Sequence, residues 1–326
     1  MKYIEFDNQL KASYSFALEE YIMTHQQFTD EYFMFWRTTP TLMIGRFQNT
    51  IQEINSKFVE ENNIKVVRRN SGGGTIYTDE NCWQFSFITW KEKGKVKDFR
   101  DFTKFVINAL EKLGLEVSFS GRNDLILDGR KFSGNAQFSM GDRFLHHGAI
   151  LFDTNIDNMV KVLVVGDDKI ISKGIKSVNE RVINIRQSLN NPNITSKEFK
   201  DEMIAIIGKE MESININDAD LLKVKEIETK KFLNWDWNYG KSPDFNITKT
   251  TQTIAGKFII NLYVKNGIII DCKLNGDFFF RGDIIKFEEN FINCRYEKTD
   301  ILEKLMSLEA DLFYMISNSE LVDCFI

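Results

Sequence analysis

The densest chemistry in this sequence lies in the run Arg68-Arg69-Asn70-Ser71-Gly72-Gly73-Gly74-Thr75-Ile76-Tyr77. Glycine accepts positive φ and leaves its amide uncovered, so adjacent glycines can present bare N–H groups to an anion. The two arginines beside them offer a rigid planar cation for a carboxylate or a phosphate. A second group follows in Gly121-Arg122-Asn123-Asp124-Leu125, Arg130-Lys131-Phe132-Ser133-Gly134-Asn135-Ala136-Gln137 and His146-His147-Gly148. A third is Ser172-Lys173-Gly174-Ile175-Lys176-Ser177-Val178. Two other patterns are decoys. Ser71 sits among small residues, yet position 69 is Arg where a G-x-S-x-G elbow needs glycine. Gly240-Lys241-Ser242 imitates the end of a phosphate loop, but Trp235 stands where its first glycine belongs.

Periodicity indicates which elements position these residues. Residues 64–67 and 75–77 read as extended segments flanking the glycine loop, so the loop sits at the mouth of a sheet. Residues 15–26 and 54–61 read as helices, 32–36 and 41–44 as a strand pair around Pro40, and 84–90 as an alternating strand. Residues 98–113 are the clearest helix, with Phe99, Phe102, Val106, Ala109, Leu110 and Leu113 on one face. Short strands and turns are expected over 117–152, and mostly helix over 156–232. Helical patterning stops near 235–243, after which 253–260 and 261–273 read as strands and 300–313 as a helix.

A chain of 326 residues exceeds the usual single-core size, which predicts a large domain over 1–243 and a small one over 244–326. The net charge of −5 gives no basic field and speaks against nucleic acid as the main partner, so any anion site must be built locally. Cys82, Cys272, Cys294 and Cys324 show no CxxC spacing, as expected for free thiols in a reducing compartment. The N-terminus lacks an apolar signal core and no stretch reaches membrane-spanning length, so the expectation is a cytoplasmic protein without a membrane partner. A monomer is the default expectation.

Taken in order, these clusters resemble the lipoate–protein ligase family, whose pattern is RRxSGGG, GRNDL, KxSGxAQ, HHG and SKGIKSV. The resemblance runs from about Tyr14 to Tyr239 and, more loosely, to the C-terminus. It implies an α+β fold: a mixed, largely antiparallel sheet flanked by helices, of the kind shared with biotin ligases, followed by a small α+β accessory domain. It also implies a reaction. Lipoate is activated by ATP to lipoyl-AMP, and the lipoyl group passes to a lysine of a carrier domain, either a dehydrogenase E2 subunit or a glycine-cleavage H-like protein.

By resemblance, Lys131 is the catalytic cation that touches both the acid's carbonyl oxygen and the α-phosphate. Lipoate contacts fall on Gly45, within a GRxQN run, and on Trp36, Arg69, Ser71, Gly72, Gly73, Gly74 and His147. ATP and adenylate contacts fall on Arg69, Gly74, Thr75, Ile76, Tyr77, Asn123, Asp124, Lys131, Ala136, Lys173 and Gly174. Asp124 is the expected Mg²⁺ ligand, because a nucleotide-bound Mg²⁺ takes only one or two carboxylates. An Asx turn would use Asn123 and Asp124 equally well. Residues 166–177 are expected to close over the adenylate as a lid.

The chain departs from the family after the glycine loop. Thr78 replaces the usual histidine, and Cys82 stands where asparagine is usual, while Asp79 is kept. Two other readings follow. One is an ATP-independent octanoyl or lipoyl transferase working through a Cys82 thioester, and the other a non-catalytic module that binds carriers or adenylates.

Overall fold

A computed structural model describes the chain except residues 8, 47, 49, 92–97, 122, 164–174, 242–244, 277, 279, 281–282, 310–311 and 314–315. Two compact units emerge. The first joins Met1–Arg46 to Lys57–Asn234, and the second joins Phe47–Ser56 to Trp235–Ile326.

Among the described residues eleven strands build the first unit: β1 Lys2–Glu5, β2 Tyr32–Arg37, β3 Thr41–Ile44, β4 Lys65–Arg68, β5 Ile76–Thr78, β6 Cys82–Trp90, β7 Val117–Ser120, β8 Asp124–Leu127, β9 Arg130–Met140, β10 Arg143–Leu151 and β11 Glu212–Asn215. Eight of them form one sheet in the order β11-β1-β2-β6-β10-β9-β8-β7. Its β11-β1-β2 edge is parallel and the remainder antiparallel. A small sheet β4-β3-β5 carries the glycine loop between β4 and β5. The architecture is the expected α+β one.

Alternation along β6 decides what the two faces of the large sheet do, because successive side chains point to opposite sides. Trp83, Phe85 and Phe87 enter an apolar core with Phe33 and Phe35 of β2. Phe35 stacks on Trp83 with centroids 4.9 Å apart. Two helices close that core. Phe99–Lys112 contributes Phe102, Val106, Ala109 and Leu110, and Ser196–Ile207 contributes Phe199, Met203 and Ile207. Both begin with a reciprocal capping box, Asp98 with Asp101 and Thr195 with Glu198. The opposite face of β6 carries Cys82, Gln84 and Ser86, too small and polar to make a core. Helix α1 (Ala12–Thr24) covers part of that face, with Phe16 edge-on to Trp36 at 5.7 Å.

Sequence and structure differ at β11, which lies in a stretch read as helical. Its residues, Glu212-Ser213-Ile214-Asn215, are mostly exposed and become a strand by pairing in parallel with β1, far away in sequence. In the second unit the strands fall at β12 Phe245–Thr253, β13 Gly256–Lys265 and β14 Ile268–Gly276. The reading over 253–273 missed both hairpin turns. Gly256 has φ +121°, and Asn266 and Gly267 have φ +50° and +75°, the positive pair that a tight hairpin favours. The helix read over 300–313 ends at Met306. Phe258, Phe287, Phe291, Phe313 and Phe325 centre that unit's own core. Among the described residues no helix is long and apolar enough to cross a membrane.

Candidate active site

Lys131 is the second residue of β9, beside a bulge in the β8–β9 pairing. Its backbone is held on both sides: its N–H donates to Arg181 O at 2.8 Å, and its carbonyl accepts from Ile183 N–H at 2.9 Å. Its Nζ lies 2.7 Å from Asp124 Oδ1, and both side chains are partly exposed. Gly134 makes room for it, since a Cβ there would come 3.0 Å from Nζ and 3.1 Å from Cε. The glycine of the K-x-S-G run thus leaves the space that the ammonium fills.

Two cavities share the wall on which Lys131 stands. The first, about 180 Å³, has a floor of Trp36, Gln84, Ala149 and Gly134, four residues directly paired across β2, β6, β10 and β9. Phe16, His147, Gly73 and Gly74 add to its sides. The second, about 200 Å³, is lined by Tyr77, Cys82, Phe132, Leu151, Met159 and Val182 among others. Thr75, Ile76, Lys131, Gly134 and Ala149 face both.

The glycine loop is built differently from a bare anion cradle. Arg69 does not point outward as a free fork. Its Nε donates to Ser71 Oγ at 3.1 Å, Nη1 to Met43 O at 2.7 Å, and Nη2 to Gly72 O and Gly74 O, both at 2.8 Å. The guanidinium staples its own loop, and its burial lowers its pKa to about 10. Gly73 needs its glycine, at φ +93° with a Cβ position 3.1 Å from Arg69 Nη2. Arg68 is fully buried and donates to Gly45 O and Arg46 O, both at 3.0 Å. Asn70 donates to Glu20 Oε2 at 2.9 Å, and Lys231 Nζ bonds both Glu20 Oε2 at 2.6 Å and Asn70 Oδ1 at 2.9 Å.

Most residues singled out in the sequence converge here. Trp36, Arg69, Gly73, Gly74, Thr75, Ile76, Asn123, Lys131, Ala136 and His147 line the first cavity, and Tyr77 lines the second. Asn123 and Asn135 brace each other, Nδ2 to backbone O in both directions at 2.7 and 3.0 Å. Asp124 reaches the site through Lys131. Ser71, Gly72 and Gly45 stand behind the wall: Ser71 is fully buried, and the two glycine carbonyls are taken by Arg69 and Arg68. Lys173 and Gly174, with residues 166–172 of the expected lid, lie outside the described residues, as do Arg122, Phe47 and Asn49.

The unusual residues after the loop are now placed. Thr78 is fully buried and shares a 2.5 Å hydrogen bond with Thr38, so it serves the small sheet's packing. Cys82 is fully buried on the second cavity's wall, where burial pushes its thiol up to about 12. A thiol held protonated at neutral pH is a poor nucleophile.

Sequence reasoning missed Gln84 and Glu19. The Gln84 amide is oriented by donation from Nε2 to the Cys82 carbonyl at 3.1 Å, and its Oε1 has no partner among the described residues. The signal was available in β6, where Cys, Gln and Ser alternate with large aromatics. One face of a buried strand kept small and polar has a ligand or a polar network to serve.

Residues 11–208 match the lipoyl protein ligase A/B catalytic domain, and residues 242–325 the bacterial lipoate protein ligase C-terminus. The chain is 41% identical over 319 residues to lipoate-protein ligase LplJ of Bacillus subtilis, covering 96% of each. It is 35% identical to lipoate–protein ligase 1 of Staphylococcus aureus, covering 96% of this chain and 95% of that one. A bi-partite lipoate protein ligase of Thermoplasma acidophilum, described together with its E2 lipoyl domain, superposes with a TM-score of 0.66 at 26% identity. That match covers 74% of this chain and 96% of the other. With its catalytic part matched along nearly its whole length and full-length relatives on both counts, the chain belongs to the lipoyl protein ligase A/B family.

Proposed function

We propose that this protein is an ATP-dependent lipoate–protein ligase in which the first cavity takes the acyl chain and the second the nucleotide. The observation that carries the reading is the position of Lys131 on the wall common to both. A lipoate carboxylate oxygen attacks the α-phosphorus of ATP, the bond to the β-phosphate breaks, and pyrophosphate leaves. The Lys131 ammonium stabilises the charge that gathers on the oxygens at that junction. In the second half-reaction the neutral amine of a carrier lysine attacks the acyl carbon, AMP leaves, and the nitrogen gives up a proton. Burying the four chain methylenes of lipoate against Trp36 and Phe16 contributes roughly 3 kcal/mol.

Asp124 is the residue that would hold Mg²⁺. Its carboxylate, partly exposed and 2.7 Å from Lys131 Nζ, would exchange that ion pair for an ion that completes its shell with phosphate oxygens and water. When bound, that ion shields the phosphate charges. The acceptor is a lipoyl carrier domain, of the E2 or H-like kind, and the protein works as a cytoplasmic monomer. Four buried free thiols suit a reducing compartment.

Lipoate-dependent ATP–pyrophosphate exchange tests the reading. Exchange should be present in the wild type and fall by about two to three orders of magnitude in Lys131→Ala. Acyl transfer from a carrier thioester without ATP, abolished by Cys82→Ser, would replace the ligase by the transferase. Carrier binding with neither activity would leave only a binding module.

A further inference from the structure

Behind the first cavity runs a chain of buried polar groups whose hydrogens are fixed by donor chemistry. At one end the Trp36 indole N–H, which can only donate, reaches Ser86 Oγ at 3.0 Å. Ser86 therefore turns its own hydrogen to Glu19 Oε1, 2.6 Å away. At the other end Arg69 Nε–H, also only a donor, reaches Ser71 Oγ at 3.1 Å. The same Ser71 Oγ lies 2.6 Å from His147 Nε2. His147 Nδ1 lies 3.2 Å from Glu19 Oε1, and a carboxylate oxygen only accepts, so the ring's proton sits on Nδ1 and the bare Nε2 of the neutral ring accepts from Ser71. The two half-chains meet on one carboxylate oxygen.

Glu19 is 1% exposed and is absent from the lining of either cavity. Trp36, His147 and Arg69, the groups it reaches directly or through serine, all line the first. We propose that Glu19 is a positioning residue for the acyl cavity. By accepting from Ser86 and His147 together, its Oε1 fixes the His147 tautomer and so holds three parts of the wall: the Trp36 ring, the imidazole and, through Ser71 and Arg69, the triglycine loop. The inference rests on the reading of that cavity as the lipoate site. The serine–histidine–carboxylate order is not a nucleophilic triad, since Ser71 is fully buried behind the lining and already accepts from Arg69.

Removing the shared acceptor leaves two buried donors without a partner, and the walls must move to satisfy them. The test uses the full chain labelled with ¹⁵N-histidine, in which three histidines give a readable ring-nitrogen spectrum. His147 in the wild type should show Nδ1–H and a bare Nε2. Glu19→Met should lose that signature and raise the lipoate KM by about tenfold or more, with the ATP KM near wild type. Glu19→Gln, whose amide oxygen can occupy the place of Oε1, should restore both. Ser71→Ala cuts the chain one step on and should also raise the lipoate KM, which keeps the test open if Glu19→Met does not fold. An Nε2–H tautomer in the wild type would overturn the proposal. So would an unchanged lipoate KM in a folded Glu19→Met or in Ser71→Ala, or a Gln variant as impaired as the Met one. The tautomer is read without substrate, so its failure is distinguishable from failure of the ligase reading.

Discussion

The two cavities that meet at Lys131 are held open by different means. The first is walled by groups tied into directional bonds: Trp36, His147 and Arg69 each donate to or accept from a buried partner. The second is walled mainly by the apolar surfaces of Ile76, Phe132, Leu151, Met159 and Val182. Hydrogen bonds fix angles as well as distances, whereas apolar contacts tolerate rearrangement. The cavity assigned to the acid is therefore shaped by the protein in advance, and the one assigned to the nucleotide is shaped mostly by contact area. Lys131 lines both because the strand that carries it forms part of each.

Four experiments would break or sharpen this contrast. The largest effect belongs to Lys131→Ala, which should disable adenylation by about 3–4 kcal/mol in transition-state terms while leaving both cavities intact. Measured lipoate and nucleotide dissociation constants should change far less than the exchange rate.

The next concerns β10, the strand that lends His147 and Ala149 to the first cavity. His146 sits on the opposite face of β10 from His147, fully buried against Phe102 at 4.8 Å. Burial, and secondarily the neighbouring His147, pushes its pKa down from 6.5 to about 3. The fold keeps it neutral while the unfolded chain takes up a proton below 6.5, so its contribution is intact above that pH and is lost as pH falls towards 3. The expected loss from this group is about 2–3 kcal/mol by pH 4.5. Urea unfolding at pH 7 and 4.5 should show a visibly smaller pH dependence in His146→Gln than in the wild type. Equal dependences would contradict it.

A smaller effect is expected at Gly134. A methyl there would sit 3.0 Å from Lys131 Nζ, at the free end of a flexible side chain, so the lysine should shift without unfolding the sheet. Exchange should fall by about tenfold with an unchanged melting temperature, because a misplaced electrostatic group loses much of its value. The smallest effect is expected from Cys82→Ala. If the second cavity works by contact area, ligase activity should stay within about threefold of wild type, the cost of trimming one buried atom. Iodoacetamide should likewise fail to label Cys82 in the folded protein at neutral pH.

Much of the site was legible in the sequence because its motifs are local. The glycine loop, Lys131 with Gly134, and the His146-His147-Gly148 step all lie on contiguous stretches whose spacing survives folding. The clearest helix followed from side-chain periodicity in the same way, whereas the α+β class was implied by the family resemblance. Arg69 was legible as a site residue, but its direction was not: a guanidinium looks the same in sequence whether it reaches a ligand or grips Met43, Gly72 and Gly74. Thr78 and Cys82 posed a similar problem, since only burial reveals that one packs a small sheet and the other is an inert wall.

The sequence by itself determined which residue types were present and which stretches would extend, coil or turn, because those preferences act over a few neighbouring residues. Tertiary structure alone brought Glu19 of an early helix to His147 of a late strand, and set Lys131 between two cavities through its bonds to Arg181 and Ile183. It also made β11 a strand by placing it against β1. Each of these depends on pairing across long separations in the chain, where the geometry is decided by the packing of the whole sheet.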